Sequence, residues 1–135
     1  MLRFDGAAKG NPGLGGSAAV LYDADGNIIK YCYRYHSTPV TNNAAEYVGL
    51  IIGLKMALDA GLSEIVVEGD SKLVIEHVFG TWKCKHPNLL PFYNESIVLK
   101  KQFVSIKGQW IARAKNADAD RFSNEAYEKR VDFLV

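Results

Sequence analysis

Hydrophobic and polar positions along the first 36 residues follow the pattern of three consecutive β-strands. An apolar start at residues 1–4 leads into Asp5, a second apolar run covers Ser17–Tyr22, and residues Ile28 to His36 alternate between the two faces of a strand. Such alternation is typical of a strand with one buried face. The two connections are rich in glycine and asparagine, which suit tight turns. We therefore predict an antiparallel meander at the start of the chain.

The pattern changes to helical spacing after residue 40, where apolar side chains recur every three or four positions until Gly61. Residues Glu64–Gly69 form a short apolar run bounded by turn residues, which is typical of a buried strand. Residues Phe103–Ile111 predict a last strand with Val104, Ile106, Gly108 and Trp110 on one face. Further helices are predicted at Lys72–Phe79, at about Leu90–Lys101 and from about Asn116, the last with Ala119, Phe122 and Ala126 facing inward.

The predicted element order is β-β-β-α-β-α-α-β-α. Strands joined through a helix run parallel with a right-handed connection, whereas the opening meander is antiparallel. We therefore predict an α/β fold with a mixed five-stranded sheet, three antiparallel strands followed by two parallel ones, and helices on both faces. No repeat, low-complexity tract or long linker interrupts the sequence, so we expect one domain over residues 1–135.

Composition excludes some classes of protein without naming a function. The chain is 48% hydrophobic and 23% charged, which is ordinary for a globular protein. No apolar run approaches the roughly 20 residues of a membrane span, and the two cysteines form no CxxC pair, so we expect an intracellular protein without membrane contact. The formal net charge is +1, and nucleic-acid binding would therefore have to depend on local patches.

Four carboxylates stand at the boundaries of predicted elements, and each has an ordinary structural explanation. Glu46 lies three residues after Asn43, which fits a helix capping box. Asp70 is placed to cap the helix that follows it, and Asp120 would complement the dipole of the last helix. Asp5 could be a solvated side chain beside a glycine-rich hairpin. These explanations stay open beside a functional one.

The functional interpretation follows from the four acids as a group. In α/β sheets, chemistry gathers at strand ends and helix starts, and acids that meet there repel one another unless a cation binds. Carboxylate oxygens are ligands of Mg²⁺, and a pair of divalent ions can clamp the attacking and leaving oxygens of phosphodiester hydrolysis. The sequence shows neither zinc-ligand spacing nor a P-loop.

Four motifs together resemble the ribonuclease H type 1 family. They are Asp5-Gly6-Ala7 with Gly10-Asn11-Pro12-Gly13, Thr41-Asn42-Asn43-x-x-Glu46, Gly69-Asp70-Ser71, and Arg113-x-x-Asn116-x-x-Ala119-Asp120. The resemblance covers nearly the whole chain. It implies a ribonuclease H-like fold, with two Mg²⁺ ions (or Mn²⁺ as a substitute) at four catalytic carboxylates, and cleavage of the RNA strand of RNA/DNA hybrids.

The resemblance also implies individual roles. Asp5 would bridge both metals, Asp120 would complete the site of the nucleophilic water, and Glu46 and Asp70 would hold the second metal. The expected substrate-binding residues are Gly6, Asn11, Thr41, Asn42, Asn43, Trp82, Lys83 and Arg113.

Several of these residues also have structural explanations. The asparagines could serve turns and caps, and Trp82 could anchor a loop beside a solvated Lys83. We also expect Thr41 and Asn88 to lie together at a phosphate of the DNA strand. Neither His36 nor the other two histidines show ligand spacing, so all three are expected to be bystanders.

The chain departs from the bacterial members of the family in two places. It lacks the histidine-containing loop before the last aspartate, where Arg113 stands instead, and it lacks the long basic protrusion. Both features resemble the shorter archaeal-type and plant-type members. Arg113 could aid catalysis electrostatically, or it could be a surface side chain that pairs with Asp118 or Glu125.

Alternatives to an active nuclease are an inactive hybrid- or RNA-binding module of the same fold, and another nuclease of the same broad fold such as a junction resolvase. The chain could also be the ribonuclease H part of a reverse-transcriptase-like protein. The intact acids favour an active enzyme, which we expect to be a monomer.

Overall fold

One mixed five-stranded sheet organises the computed structural model, which describes residues 1–134. The strands are β1 (Leu2–Gly10), β2 (Gly13–Tyr22), β3 (Ile28–Val40), β4 (Glu64–Gly69) and β5 (Ser105–Trp110). The helices are α1 (Asn42–Asp59), α2 (Lys72–Val78), α3 (Leu90–Lys100) and α4 (Ala117–Lys129), with a short 3-10 helix at Arg113–Lys115. Within the described residues, no helix is long and apolar enough to cross a membrane.

The strand order is β3-β2-β1-β4-β5, so β1 is the central strand. It pairs antiparallel with β2 and parallel with β4, while β2 pairs antiparallel with β3 and β4 parallel with β5. The predicted topology of three antiparallel and two parallel strands is therefore confirmed.

Helices cover both faces of the sheet, as predicted. On one face, α1 buries the side chains of Tyr47, Leu50 and Leu54 completely, within the larger core shared with β1, β4 and the other helices of that face. On the other face, α4 packs against β2 and β3 through its predicted inward residues, which are all buried. Helix α4 buries one stripe of side chains, which is the pattern that periodicity detects, whereas α1 is buried on nearly all sides, without a break from Tyr47 to Leu54.

Several boundaries differ from the prediction, and β2 begins at Gly13, four residues before the predicted Ser17. Strand β1 continues to Gly10 and β3 continues to Val40, because both extend their pairing with β2 beyond the apolar runs. The last strand begins at Ser105, two residues later than predicted. Val104 lies before the strand with 83% of its surface exposed, so it does not belong to the predicted face, whereas Ile106, Gly108 and Trp110 alternate along β5 as predicted. The 3-10 helix has no apolar periodicity and was missed.

The central strand and the first helix approach each other backbone to backbone. A Cβ atom added to Gly6 would overlap the carbonyl oxygen of Ala45, and one added to Gly49 would overlap the carbonyl oxygen of Asp5. Glycine is required at both positions because no side chain can fit between the two elements. This contact places Asp5 of β1 beside Glu46 of α1.

Candidate active site

All four predicted carboxylates line one groove of about 470 Å³ at one end of the sheet. Asp5 lies on the central strand, and Asp70 directly follows its parallel neighbour β4. Parallel strands present their carboxyl ends at the same sheet edge, which brings these two acids together. Glu46 comes from the second turn of α1, and Asp120 from the first turn of α4.

Three of the four acids form a compact group. Carboxylate oxygens of Asp5, Glu46 and Asp70 all lie within 4.8 Å of one another. Asp120 lies at the side of this group, where its Oδ1 is 3.9 Å from the Arg113 guanidinium. The groove therefore holds three close carboxylates and a fourth that has a cationic neighbour.

Helix capping does not explain two of these acids. The cap of α1 is Thr41, whose hydroxyl accepts a hydrogen bond from the backbone N–H of Ala44 at 3.1 Å. Glu46 lies a full turn into the helix, so the capping-box explanation is wrong. The cap of α2 is Ser71, so the capping explanation for Asp70 is also wrong. Asp120 does lie in the first turn of α4, where an acid complements the helix dipole.

Burial disfavours the charged form of the clustered acids. Asp5 is 5% exposed, and burial raises its pKa to about 7, although the Gly6 N–H donates to Asp5 Oδ1 at 2.9 Å. Burial is the main reason that the pKa of Glu46 is raised well above its ordinary value, and the negative charge of Asp5 is the second. The pKa of Asp70 is raised by burial as well, against the opposing effect of Arg113. These are the shifts expected of acids held together without a compensating charge.

The group fits a divalent cation. The Oε2 atom of Glu46 is buried and has no hydrogen-bond partner among the described residues. An unpartnered buried carboxylate oxygen is costly, and a metal ion bound by oxygen ligands removes that cost. The chemistry of these donors, all carboxylate oxygens, suits Mg²⁺ or Mn²⁺ and not a soft metal.

Asn42 lines the acid groove, Asn11 lies beside it in the β1–β2 turn, and the side-chain oxygens of both residues make structural hydrogen bonds. Asn11 Oδ1 accepts from the backbone N–H of Asn42 at 3.0 Å, and Asn42 Oδ1 accepts from the backbone N–H of Ala8 at 2.8 Å. These bonds tie the β1–β2 turn to the start of α1. Neither Nδ2 group makes a hydrogen bond within residues 1–134, and both side chains are exposed, so two amide donors remain available.

A second groove of about 280 Å³ gathers more of the predicted binding residues. It brings Thr41 to Asn88, the pair expected at a DNA phosphate, although the Thr41 hydroxyl already accepts from the α1 backbone. The groove is lined by Asn11, Thr41, Asn43, His86, Pro87, Asn88 and Leu89.

Trp82 and Lys83 are not brought into either groove. Trp82 is 46% exposed and is attached by its backbone N–H, which donates to the carbonyl oxygen of Glu76 at 3.2 Å. Lys83 is exposed. Neither residue lies with the other predicted binding residues, so their assignment to substrate binding stays a prediction.

Two histidines have structural partners away from the acids. His36 Nε2 lies 2.7 Å from Ser17 Oγ, and His77 Nδ1 lies 2.7 Å from the Tyr47 hydroxyl in the core.

Arg113 does not pair with either of the surface acids considered for it. Its neighbour is Asp120, while Asp118 contacts Arg121 at 3.4 Å and Glu125 contacts Lys129. Its side chain is 83% exposed.

Sequence reasoning assigned no role to two residues that the structure places at the site. Lys9 lines the acid groove and lies on the same strand as Asp5, which is the signal that could have identified it. Asn116 is fully buried at the start of α4, and its amide donates to the carbonyl oxygen of Phe4 at 2.9 Å. This bond joins the helix that carries Asp120 to the strand that carries Asp5.

A five-stranded sheet of this order, with carboxylates grouped at the end of its central strands, defines a protein of ribonuclease H-like fold. Comparison with known proteins agrees: a family model described as "Reverse transcriptase-like" matches residues 3–126. The chain belongs to the type 1 ribonuclease H family.

Three relatives illustrate the match. The chain is 42% identical over 128 residues to the bifunctional protein Rv2228c of Mycobacterium tuberculosis, covering 95% of this chain and 35% of that protein. The crystal structure of RNase H1 from Halobacterium salinarum is 35% identical with a TM-score of 0.89, covering 95% of this chain and 96% of that one. LC11-RNase H1 in complex with RNA/DNA hybrid is 34% identical with a TM-score of 0.88, covering 96% of both chains.

The similarity to Rv2228c falls in one part of that protein. The solved N-terminal RNase H domain of Rv2228c aligns with a TM-score of 0.88 and 41% identity, over 95% of this chain and 94% of that one. The chain thus spans about a third of the length of the mycobacterial relatives it matches and 62% of the curated ribonuclease HI of Halobacterium salinarum.

Proposed function

We propose that this protein is an endonuclease that hydrolyses the RNA strand of RNA/DNA hybrids. The observation that carries the proposal is the grouping of Asp5, Glu46 and Asp70, with oxygens within 4.8 Å, beside Asp120 in an open groove. The related LC11-RNase H1 has been solved with an RNA/DNA hybrid, which supports the same class of ligand here. The test is cleavage of labelled hybrid compared with RNA duplex and DNA duplex, with and without Mg²⁺.

The four carboxylates are proposed to hold two Mg²⁺ ions, with Mn²⁺ as a substitute. As the family resemblance implies, Asp5 would be the ligand shared by both ions, Glu46 and Asp70 would hold one ion, and Asp120 would complete the site of the other. Divalent cations supply Lewis-acid stabilisation of charge on phosphate oxygens. The protein's own contribution is to hold the carboxylates rigidly, on a central strand and on two helices that pack against opposite faces of the sheet.

One chain supplies all four carboxylates, so we propose a monomer that is active as a single domain over residues 1–135. The same intact set of acids disfavours the alternative of a binding module that has lost catalysis. Proposed contacts to the substrate come from the groove rims, with Asn11 and Asn42 at the RNA strand and the groove around Thr41 and Asn43 at the DNA strand.

The amide donors of Asn11 and Asn42 are proposed to recognise ribose. A 2′-hydroxyl is the group that distinguishes RNA from DNA, and it can accept from an amide N–H. Replacing both residues with alanine should weaken cleavage of hybrid by about 1–3 kcal/mol for each lost contact. Steady-state cleavage of hybrid measures the loss.

The same alanines also remove the bonds that tie the β1–β2 turn to α1, so the fold needs a control. Asn42→Asp keeps the Oδ1 acceptor for Ala8 but replaces the free donor with a negative charge in the acid groove, so it tests the donor and the local charge together. If Asn42→Asp and the double alanine variant both cleave hybrid at the native rate, these residues serve the turn alone.

Arg113 is proposed to stabilise charge on a substrate phosphate. A guanidinium stays protonated at working pH, so it can stabilise an anion but cannot carry a proton. Because its side chain is 83% exposed, Arg113→Ala should lower turnover by about tenfold, less than the loss of an enclosed oxyanion donor. Arg113→Lys should restore part of the rate, since a point charge lacks the guanidinium fork.

Arg121→Ala is the matched control, because Arg121 pairs with Asp118 on the surface of α4. Equal turnover of Arg113→Ala and the native protein at saturating Mg²⁺ would assign Arg113 to the surface.

A further inference from the structure

Lys9 is a cation at the acid groove for which the proposed function supplies no role. It lies near the end of β1, four residues after Asp5, and it lines the same groove as the carboxylates. Its side chain is exposed. The ammonium group of a merely solvated lysine contacts water, whereas the ammonium group of Lys9 contacts two side chains of the protein.

Helix α4 holds the ammonium group of Lys9 through neutral side chains. Lys9 Nζ donates to Asn124 Oδ1 at 2.9 Å and lies 5.5 Å from the centre of the Tyr127 ring. The amide of Asn124 in turn donates to the carbonyl oxygen of Asp120 at 3.1 Å. The position of the ammonium group is therefore tied to the turn of α4 that carries the fourth carboxylate.

Neutral partners leave the positive charge of Lys9 uncompensated. Arg113, the other cation that lines the groove, lies 3.9 Å from Asp120. Among the described residues, Lys9 forms no ion pair with a carboxylate. The groove thus contains one cation that is held in place without being neutralised.

We propose that Lys9 binds a phosphate of the nucleic-acid strand that is cleaved. This inference rests on the proposed function, because it assumes that nucleic acid enters the groove. A polyanion that approaches four carboxylates is repelled unless a cation faces it, and an ammonium group donates charge-assisted hydrogen bonds to phosphate oxygens. Asn124 and Tyr127 are positioning residues, since they restrict a long side chain that would otherwise lose rotamer freedom on binding.

The test measures binding and not cleavage. Lys9→Gln, Lys9→Arg and Lys129→Gln are each combined with Asp5→Asn, and affinity for a fluorescent RNA/DNA hybrid is titrated over a range of salt concentrations. Lys9→Gln should weaken binding about tenfold at low salt and reduce the slope of log K against log [salt] by about 0.9, the value for one lost phosphate contact. Lys9→Arg should keep the slope of the parent.

Lys129→Gln is the matched control, because Lys129 is an exposed cation nine residues after Asp120 on the same helix and pairs with Glu125. It should change neither affinity nor slope. Circular dichroism melting of each variant checks that an exposed substitution leaves the fold intact.

Neutral methylphosphonate linkages then show which strand of the hybrid carries the phosphate that Lys9 binds. Placed in the RNA strand at the cleavage region, they should abolish the difference between the parent and Lys9→Gln, whereas the same linkages in the DNA strand should preserve it. Equal affinity and slope for the parent and Lys9→Gln would overturn the proposal, and so would a difference abolished only by DNA-strand linkages. A parent that binds no hybrid would contradict the proposed function instead.

Discussion

Asp5→Asn is expected to abolish cleavage of RNA/DNA hybrid while leaving binding of the hybrid largely intact. Asparagine keeps the shape of the side chain and an oxygen for the Gly6 N–H, but it removes one of the charges of the three-carboxylate group. A neutral amide is a much poorer ligand for Mg²⁺ than a carboxylate. The measurement is single-turnover cleavage of end-labelled hybrid at saturating Mg²⁺.

The same variant should be more stable than the native protein when no metal is present. The pKa of Asp5 is raised from 3.8 to about 7, so the folded state holds this proton more tightly than the unfolded chain. Native stability therefore falls as the pH rises through this window, by on the order of 4 kcal/mol for a shift of this size. Asparagine cannot ionise, so the gain from Asp5→Asn should be full at pH 8 and absent near pH 4.

Urea unfolding with a chelator at both pH values measures this gain. Asp25→Asn is the matched control, because Asp25 is exposed in the β2–β3 turn and should change neither stability nor cleavage. Cleavage by Asp5→Asn at a rate close to the native one would contradict the assignment of Asp5 as a metal ligand.

Gly6→Ala is expected to destabilise the protein and to disrupt the site together. The new Cβ would overlap the carbonyl oxygen of Ala45, which belongs to the backbone and cannot rotate away. Overpacking of this kind costs about 3 kcal/mol, because β1 and α1 must separate. That separation moves Asp5 away from Glu46, and a misplacement of about 1 Å can lower turnover by about 10²-fold.

The free energy of unfolding in urea and the cleavage rate measure the two effects. Gly26→Ala is the control, since an added Cβ there meets no atom within 4 Å and only the positive φ of 82° disfavours alanine. It should cost about 1 kcal/mol and leave cleavage unchanged. If Gly6→Ala is no more destabilising than Gly26→Ala, the close approach of β1 to α1 does not shape the site.

The sheet topology could be predicted because it depends on local patterns. Alternation marked the meander, helical spacing marked α1 and α4, and the order of elements left few ways to connect the strands. The ends of β1 and β3 were missed because pairing with β2, and not apolar character, sets them. Val104 is exposed and lies before β5, so its apolar character alone wrongly placed it within the strand.

Contacts within the site depend on separations that no local pattern records. The close approach of the Gly6 backbone to the Ala45 backbone is a property of two packed elements, and periodicity describes side chains only. Lys9 meets Asn124 across 115 positions of sequence, although both residues look like ordinary surface side chains. The four carboxylates were recognisable as a set only through their motifs, since each alone has an ordinary explanation.

The most direct test of the proposed function compares substrates and metals in one experiment. The native protein and Asp5→Asn are incubated with labelled RNA/DNA hybrid, RNA duplex and DNA duplex, each with Mg²⁺ and with a chelator. We expect internal cuts in the RNA strand of the hybrid, made only by the native protein and only with Mg²⁺. Equal cleavage of DNA duplex and hybrid by the native protein, or undiminished cleavage of hybrid in the chelator, would contradict the account.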